Sequence, residues 1–325
     1  MERSCIRSSK ISADDAIKKF RALGLLDTAY HIEQDENYVY IPLIRHIGGS
    51  INHDFKPRED VFTGIEKDSE RRGLKNTGAP YIRLGNSIIF KSSISRRIVY
   101  KYASRLKVDN IYVETGKIRG IKREPSLKLI YGSGGETIVR ESGVSYIMDL
   151  QKVMFSPGNI NTRSKMKFID FTGMVILDMF CGIGYFSLQI LKNSRPARMV
   201  MCDINPDSIH YLKKNLQVNR IKSKVDVYTG DSRSVLPVMQ ADYIIMGNFN
   251  SINFIVAALL RSRIGTQISM HYLTPTESMN STQDVIVDIA RKLGYVIECI
   301  ENTKVKSVGP HYQHMNAIFK VSRIL

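Results

Sequence analysis

Tryptophan is absent from the 325 residues, and cysteine occurs only four times, as Cys5, Cys181, Cys202 and Cys299. Their spacing fits neither a disulfide framework nor a zinc site, so a cystine-stapled domain is excluded and no metal is expected. Cys181 and Cys202 fall at strand ends and are read as reduced thiols. No run of ~18 apolar residues occurs, so no membrane-crossing helix is predicted. The opening Met1-Glu-Arg-Ser-Cys-Ile-Arg7 lacks the apolar stretch of a secretory signal, and a cytoplasmic setting is the expectation. Acidic residues are outnumbered, 31 against 47 basic ones, which leaves a net charge of +16. Such an excess attracts polyanions without fixing a fold. The cations are spread along the chain, among them Arg71-Arg72, Arg96-Arg97 and Lys222 to Lys224. That spread suits a large folded RNA better than a short duplex, and no aromatic single-strand-binding motif accompanies it.

What is present divides into three textures. Residues 1–58 read as a small N-terminal module with a helix over residues 11–28. Ser12 stands at its N-cap, Asp14 and Asp15 lie in its first turn, and Ile17, Phe20, Leu23 and Leu26 recur on one side. Tyr38 to Pro42 reads as a short strand ended by proline, and residues 52–73 as a polar connector. Residues 59–165 read as an α+β middle domain. Its short β-branched runs are 81–84, 87–90, 110–114, 127–131, 136–139 and 144–149, with a helix over 94–106. Residues 166–325 alternate between strands (175–178, 198–203, 225–228, 243–246, 267–270, 295–299, 315–321) and helices. Those helices are predicted at 186–191, from Pro206, at 252–260 and at 285–293. Apolar strands separated by helices make this an α/β domain with a Rossmann-like, mostly parallel sheet.

Helices on both faces of such a sheet direct a ligand to the carboxyl ends of its strands. The first strand runs into Asp178-Met-Phe-Cys-Gly-Ile-Gly184, followed by Phe186. This Asp-x-Phe-x-Gly-x-Gly-x-Phe pattern differs from the Gly-x-Gly-x-x-Gly of dinucleotide sites. It sets a carboxylate where a pyrophosphate needs positive potential. A sulfonium with an amino-acid tail tolerates that carboxylate, so S-adenosylmethionine is the cofactor expected. Gly182 and Gly184 allow close approach of the backbone. Asp203, with Ile204 after it, ends the next strand where a carboxylate can take ribose hydroxyls. Asp231 and Ser232 end the third strand, beside an adenine amino group. Met246-Gly-Asn248-Phe249 ends the fourth and opens over the centre. Bland readings stand beside these: Asp178 as a strand-end cap, Phe180 and Phe186 as core, Asn248 as a turn closure. His271 and His311 are candidates for a wet cleft edge or for structural roles.

Three stretches together resemble a family of archaeal enzymes that modify tRNA at position 37. They are Lys152-Val-Met-Phe-Ser-Pro-Gly-Asn159, Leu177 to Ser187, and Lys304-Val-Lys-Ser-Val-Gly-Pro310, with Gly24-Leu-Leu-Asp27 and Tyr38 to Pro42 in support. The family contains guanine-N1 methyltransferases and a wybutosine-pathway aminocarboxypropyltransferase. The resemblance implies a class I S-adenosylmethionine-dependent transferase fold with N-terminal α+β domains, and cofactor roles for Asp178, Gly182, Asp203 and Asp231. The methyltransferases carry Phe-Ser-Pro-Arg-x-x-x-Glu-Arg, where this chain has Gly158 and Thr162 before Arg163. They carry Asn-x-Pro where it reads Gly247-Asn-Phe249. The Phe-Ser-x-Gly-Asn pattern points to the aminocarboxypropyltransferase branch, although Thr162 departs from that branch as well. The implied reaction moves the 3-amino-3-carboxypropyl group to C7 of 4-demethylwyosine in tRNA(Phe), releasing methylthioadenosine. The implied partner surface is the anticodon stem-loop and tRNA body, with a monomer acting. Ser156, Asn159, Arg163 and Asn248 are then candidates to hold the cofactor tail or the base, and Lys152 and Lys165 to touch phosphates. Guanine-37 methylation and a non-catalytic tRNA-binding role are the alternatives.

Overall fold

A computed structural model describes residues 2–22, 25–26, 32–43, 50–54, 80–155, 159–278 and 281–325. Its contacts divide the chain into two units, Met1–Ser69 and Glu70–Leu325. In the first, β1 (Glu2–Ser9), α1 (Ala13–Ala22), β2 (Glu33–Gln34), β3 (Tyr38–Pro42) and β4 (Ile51–Asp54) form one helix on an antiparallel sheet, ordered β2-β3-β1-β4. Ala13, Ala16, Ile17 and Phe20 of α1 pack on Val39 and Ile41 of β3. The helix stops at Ala22, short of the predicted residue 28, and Leu26 instead bridges Leu43 at the sheet edge. Ser12 precedes it as expected, but its hydroxyl bonds to the Ser8 and Ser9 hydroxyls while its carbonyl takes the Ala16 N–H. Of the predicted connector, residues 52–54 belong to β4, and the rest lies outside the described residues.

The second unit begins with a mixed sheet, β5 (Tyr81–Leu84), β6 (Ser87–Phe90), β7 (Asn110–Glu114) and β8 (Leu127–Tyr131), in that order. The β6–β7 pair is parallel and is crossed over by α2 (Arg96–Leu106), whose Val99, Tyr102, Ala103 and Leu106 face the sheet. A hairpin of β9 (Glu136–Glu141) and β10 (Val144–Asp149) follows, buried on alternate residues as a half-covered strand pair must be. The short α3 (Ile160–Lys165) then leads into the sheet that carries the cleft.

That sheet contains β11 (Val175–Asp178), β12 (Arg198–Asp203), β13 (Val225–Thr229), β14 (Ala241–Met246), β15 (Ser262–Pro275), β16 (Tyr295–Val308) and β17 (Tyr312–Ile324). The order is β13-β12-β11-β14-β15-β17-β16. The first five are parallel, and β17 enters antiparallel to both its neighbours. Helices α4 (Ser187–Asn193), α5 (Pro206–Val218), α6 (Ile255–Leu259) and α7 (Ser281–Lys292) connect the strands. From β11 the chain winds outward through β12 and β13, then returns to β14 on the other flank of β11. This reversal opens a crevice above the carboxyl ends of β11 and β14. The last three strands run 13 to 14 residues, far beyond the short apolar centres predicted for them. Their extensions are hydrogen-bonded, with a bulged register between β16 and β17, and β16 alternates between exposed and half-buried residues along its second half.

Candidate active site

A cleft of about 480 Å³ lies over this reversal. Its floor comes from the loops that follow β11, β12 and β14: Phe180 and Gly182, Asp203 to Asn205, and Gly247 to Phe249. One wall is the segment Ile118 to Arg123, and the others come from Met154, Asn159 and Arg163, and from Lys306 to Val308 of β16.

Asp203 ties together the loops after β11 and β12. Its Oδ2 accepts the Gly182 N–H at 2.8 Å and its Oδ1 the Asn205 N–H at 2.9 Å, which fixes the carboxylate and leaves a further lone pair on each oxygen. Burial pushes its pKa up, against the two N–H groups and the nearby Arg123 guanidinium. Asn205 also caps α5, accepting the Asp207 N–H at 3.0 Å ahead of Pro206 at the first helical position. Gly182 has φ of 56°, and a Cβ there would stand 2.4 Å from the Tyr185 ring, so the loop closes down on that ring only with glycine. Gly247 has no left-handed φ, but a Cβ there would stand 2.9 Å from the Phe186 ring, so that ring would have to shift.

The other sequence candidates divide by position. Phe180, Phe186, Ile204, Asn159, Arg163 and Asn248 line the cleft with Gly182 and Asp203. Asp178, Gly184, Asp231, Ser232 and Met246 stand outside that lining. Asp178 is fully buried beneath the loop, taking the Ser187 hydroxyl at 2.5 Å and the Phe180 N–H at 3.3 Å, and burial pushes its pKa up to about 7. Gly184 packs on Leu188 and Leu212, and Met246 is core, its carbonyl accepting the Ser251 hydroxyl at 2.9 Å. Asp231 is gripped by the Arg233 guanidinium, with Nη2 at 2.6 Å from Oδ2, and this bond lowers its pKa. Arg233 lies over Phe254 at 4.5 Å, which meets Phe180 edge-on at 4.8 Å, so this chain of contacts reaches the cleft indirectly. The Ser232 hydroxyl is buried without a hydrogen-bond partner among the described residues. Ser156, with Pro157 and Gly158, lies outside the described residues.

Arg163 is almost fully buried. Its Nε and Nη2 donate to the Glu141 carboxylate at 2.9 and 2.6 Å, and its guanidinium lies 4.9 Å from the Phe155 ring centre and 5.8 Å from that of Tyr185. Thr162 is buried beside it, and Lys165 pairs with Glu301 at 3.2 Å. His271 lies at no wet edge. It is buried, with its Nδ1 2.7 Å from His314 Nε2, and the two rings stand behind Phe186 and Phe249. Burial holds their pKa values at about 3 and about 4, so the pair is uncharged. His311 is exposed.

Two cations in the lining were not singled out from the sequence. Arg123, at φ of 56°, lies 5.4 Å from the Phe249 ring centre and donates to Met154 Sδ at 3.5 Å. Lys306 projects from β16. Neither is ion-paired among the described residues. Burial lowers both pKa values, and for Lys306 the positive charges of Arg123 and Arg163 add to it. In sequence Arg123 sits in a basic run and Lys306 in the stretch Lys304 to Pro310 that carries the resemblance, where neither was given a role; only the folding of the 117–124 segment and of β16 onto the strand ends brings them together. An S-adenosylmethionine molecule would fit these groups, with Asp203 available to a ribose and Arg123, Lys306 and the Oδ1 of Asn159, which has no hydrogen-bond partner among the described residues, available to a zwitterionic tail.

Comparison with known proteins agrees with this geometry. The TRM5/TYW2 methyltransferase domain matches residues 137–298, and the tRNA methyltransferase 5 N-terminal domain matches residues 5–60. A tRNA(Phe) (4-demethylwyosine(37)-C(7)) aminocarboxypropyltransferase of Methanocaldococcus jannaschii is 30% identical over 249 residues, 76% of this chain and 100% of that protein. The crystal structure of M. jannaschii TYW2 in complex with AdoMet superposes with a TM-score of 0.61 at 26% identity, over 74% of this chain and all of that one. The structure of Trm5b from Pyrococcus abyssi superposes with a TM-score of 0.63 at 25% identity, over 99% of this chain and all of that one.

Proposed function

We propose, for a chain that belongs to the TRM5/TYW2 family of tRNA position-37 modifying enzymes, that it transfers the 3-amino-3-carboxypropyl group of S-adenosylmethionine to C7 of 4-demethylwyosine in tRNA(Phe). When bound, the cofactor supplies an electrophilic γ-carbon, and methylthioadenosine leaves as the new carbon–carbon bond forms. The chain's part is to hold nucleophile, carbon and sulfur in line. Asp203 fixes the ribose, and Asn159 Oδ1 accepts from the tail ammonium. Arg123 and Lys306 draw the tail carboxylate toward the open side of the cleft, where an RNA base enters. Phe249 and Asn248 form the floor beneath that base. Three domains, 1–58, 59–165 and 166–325, acting as a cytoplasmic monomer on the anticodon stem-loop and body of the tRNA, complete the reading.

One observation carries the choice of reaction. Among the described residues Asp203 is the single carboxylate of the cleft lining, and the proposed reading gives it to the ribose. Methylation at guanine N1 needs a base to remove the ring proton, and Thr162 offers none. A carbon nucleophile retains its proton until after attack and then releases it to solvent, so the attack itself makes no such demand. The full-length likeness to P. abyssi Trm5b keeps guanine-37 methylation as the second reading.

Product analysis tests this. The protein is incubated with tRNA from cells lacking its gene and with cofactor labelled either in the methyl or in the carboxyl group. Carboxyl label in tRNA with methylthioadenosine released is the expected result. Methyl label in tRNA with S-adenosylhomocysteine released would establish the second reading instead.

A further inference from the structure

The wall formed by residues 116–125 is a small closed hairpin. Arg119 and Glu124 exchange both backbone hydrogen bonds at 2.9 Å, around a turn in which Gly120 and Arg123 have φ of 60° and 56°. Its base is tied by the Thr115 N–H to the Ser126 carbonyl at 2.8 Å, and by the Ser126 hydroxyl to the Lys117 carbonyl at 2.8 Å. Its far side is tied to the cofactor loop, where the Asn205 amide donates to the Lys122 carbonyl at 3.2 Å. The hairpin is therefore set in place by bonds at both ends.

Its charge is mostly positive, with Lys117, Arg119, Lys122 and Arg123 against Glu124, yet Ile118 and Ile121 are 44% and 76% exposed while lining the cleft. A β-branched apolar side chain left in water in a basic turn gains free energy once something apolar covers it. Phe249 and Val308 also line this cleft and add to its apolar surface. The polar and charged parts of the donor have their own partners in Asp203, Asn159, Arg123 and Lys306. Besides the donor's own adenine, an uncharged, flat ring system of the acceptor is the ligand chemistry such a surface suits, and the flanking cations suit the phosphates on either side of it.

We infer that Ile118 and Ile121 are the specificity surface of the site: the tricyclic purine seats its additional ring on them, and they favour that base over guanine. This rests on the aminocarboxypropyl-transfer reading above. Guanine has one fused ring fewer and leaves these side chains partly uncovered.

The test uses the full chain, after carboxyl label has shown that the wild type transfers the aminocarboxypropyl group. A methylated product at that stage defeats the functional reading before any variant is made. Ile118→Ser, Ile121→Ser and the double variant are then compared with Ile121→Leu. Cofactor affinity by calorimetry is expected to stay within about 2-fold, because the hairpin's anchors are backbone and polar bonds. For tRNA carrying the tricyclic base, kcat/KM is expected to fall about 10- to 50-fold in the double variant, roughly the worth of one buried isoleucine because both side chains are already partly covered. Binding of tRNA with guanine at position 37 is expected to change less than about 3-fold, and Ile121→Leu to keep most activity. Equal losses on the two tRNAs would overturn the inference, since the hairpin would then grip RNA backbone. Loss of cofactor affinity, or no loss on either tRNA, would overturn it equally.

Discussion

At the scale of single residues, two aspartates beside one loop have opposite roles. Asp203 faces the cleft and accepts backbone N–H groups with both oxygens, while Asp178 faces the interior. Asp203→Ala should weaken S-adenosylmethionine binding about 10- to 100-fold, the loss expected when charge-assisted hydrogen bonds are removed, with tRNA affinity within about 2-fold. Calorimetry and filter binding read the two quantities, and equal loss of both would show that the residue supports the fold instead. For Asp178 the pH dependence of stability is diagnostic. A carboxyl raised to about 7 on folding binds its proton more tightly folded than unfolded. The stability it contributes is complete below the ordinary carboxylate pKa of about 4 and is lost as pH rises to about 7, a change on the order of 4 kcal/mol. Asp178→Asn cannot ionise, so its urea midpoint should fall less between pH 5 and pH 8 than that of the wild type. Parallel profiles would refute this. Both aspartates were legible as strand-end carboxylates, since a strand's last residue is fixed by its pattern. Which of them points inward was not, because that depends on Ser187, nine residues on, offering its hydroxyl.

At the scale of elements, α5 joins the cleft sheet to the β9–β10 hairpin through two asparagines one turn apart. Asn215 accepts the Ile147 N–H at 2.7 Å and donates to the Ile183 carbonyl at 3.1 Å; Asn219 exchanges bonds with Ser145 at 2.9 and 2.7 Å. Asn215 is fully buried, so Asn215→Leu leaves an N–H and a carbonyl without partners and should cost about 2–4 kcal/mol in urea unfolding. The same hairpin carries Glu141, which holds Arg163, so transfer activity should fall further than cofactor affinity. A loss under ~0.5 kcal/mol would mean that water replaces the asparagine. Nothing in the sequence marks this junction, because an asparagine on a helix reads as exposed. The core strands, by contrast, were legible to the residue: Val175–Asp178 and Arg198–Asp203 are apolar because both faces of a parallel sheet are covered. Strand β1, reading Glu-Arg-Ser-Cys-Ile-Arg-Ser-Ser, has no alternation to betray it, and its pairing with β3 and β4 decides its conformation.

At the scale of the whole molecule, the match to the M. jannaschii aminocarboxypropyltransferase is informative for what it omits. That protein is covered entirely by 76% of this chain, and residues 5–60 of this chain match a tRNA methyltransferase 5 N-terminal domain. The contacts likewise set Met1–Ser69 apart as a unit. Every residue of the cleft lies beyond it. A chain starting at Glu70 should therefore bind S-adenosylmethionine within about 2-fold of the full protein. It should lose tRNA affinity about 10-fold or more if the first unit adds contacts to the tRNA body. Salt dependence separates that cause from damage to the cleft. Lost phosphate contacts lower the slope of log affinity against log salt, by about 0.7 to 0.9 for each contact removed. A truncated chain with weaker binding but an unchanged slope would mean that the N-terminal unit contributes by orienting the rest, not by touching RNA. Unchanged affinity would show that residues 1–69 are dispensable for the tRNA, and that a net charge of +16 is in excess of what this substrate needs.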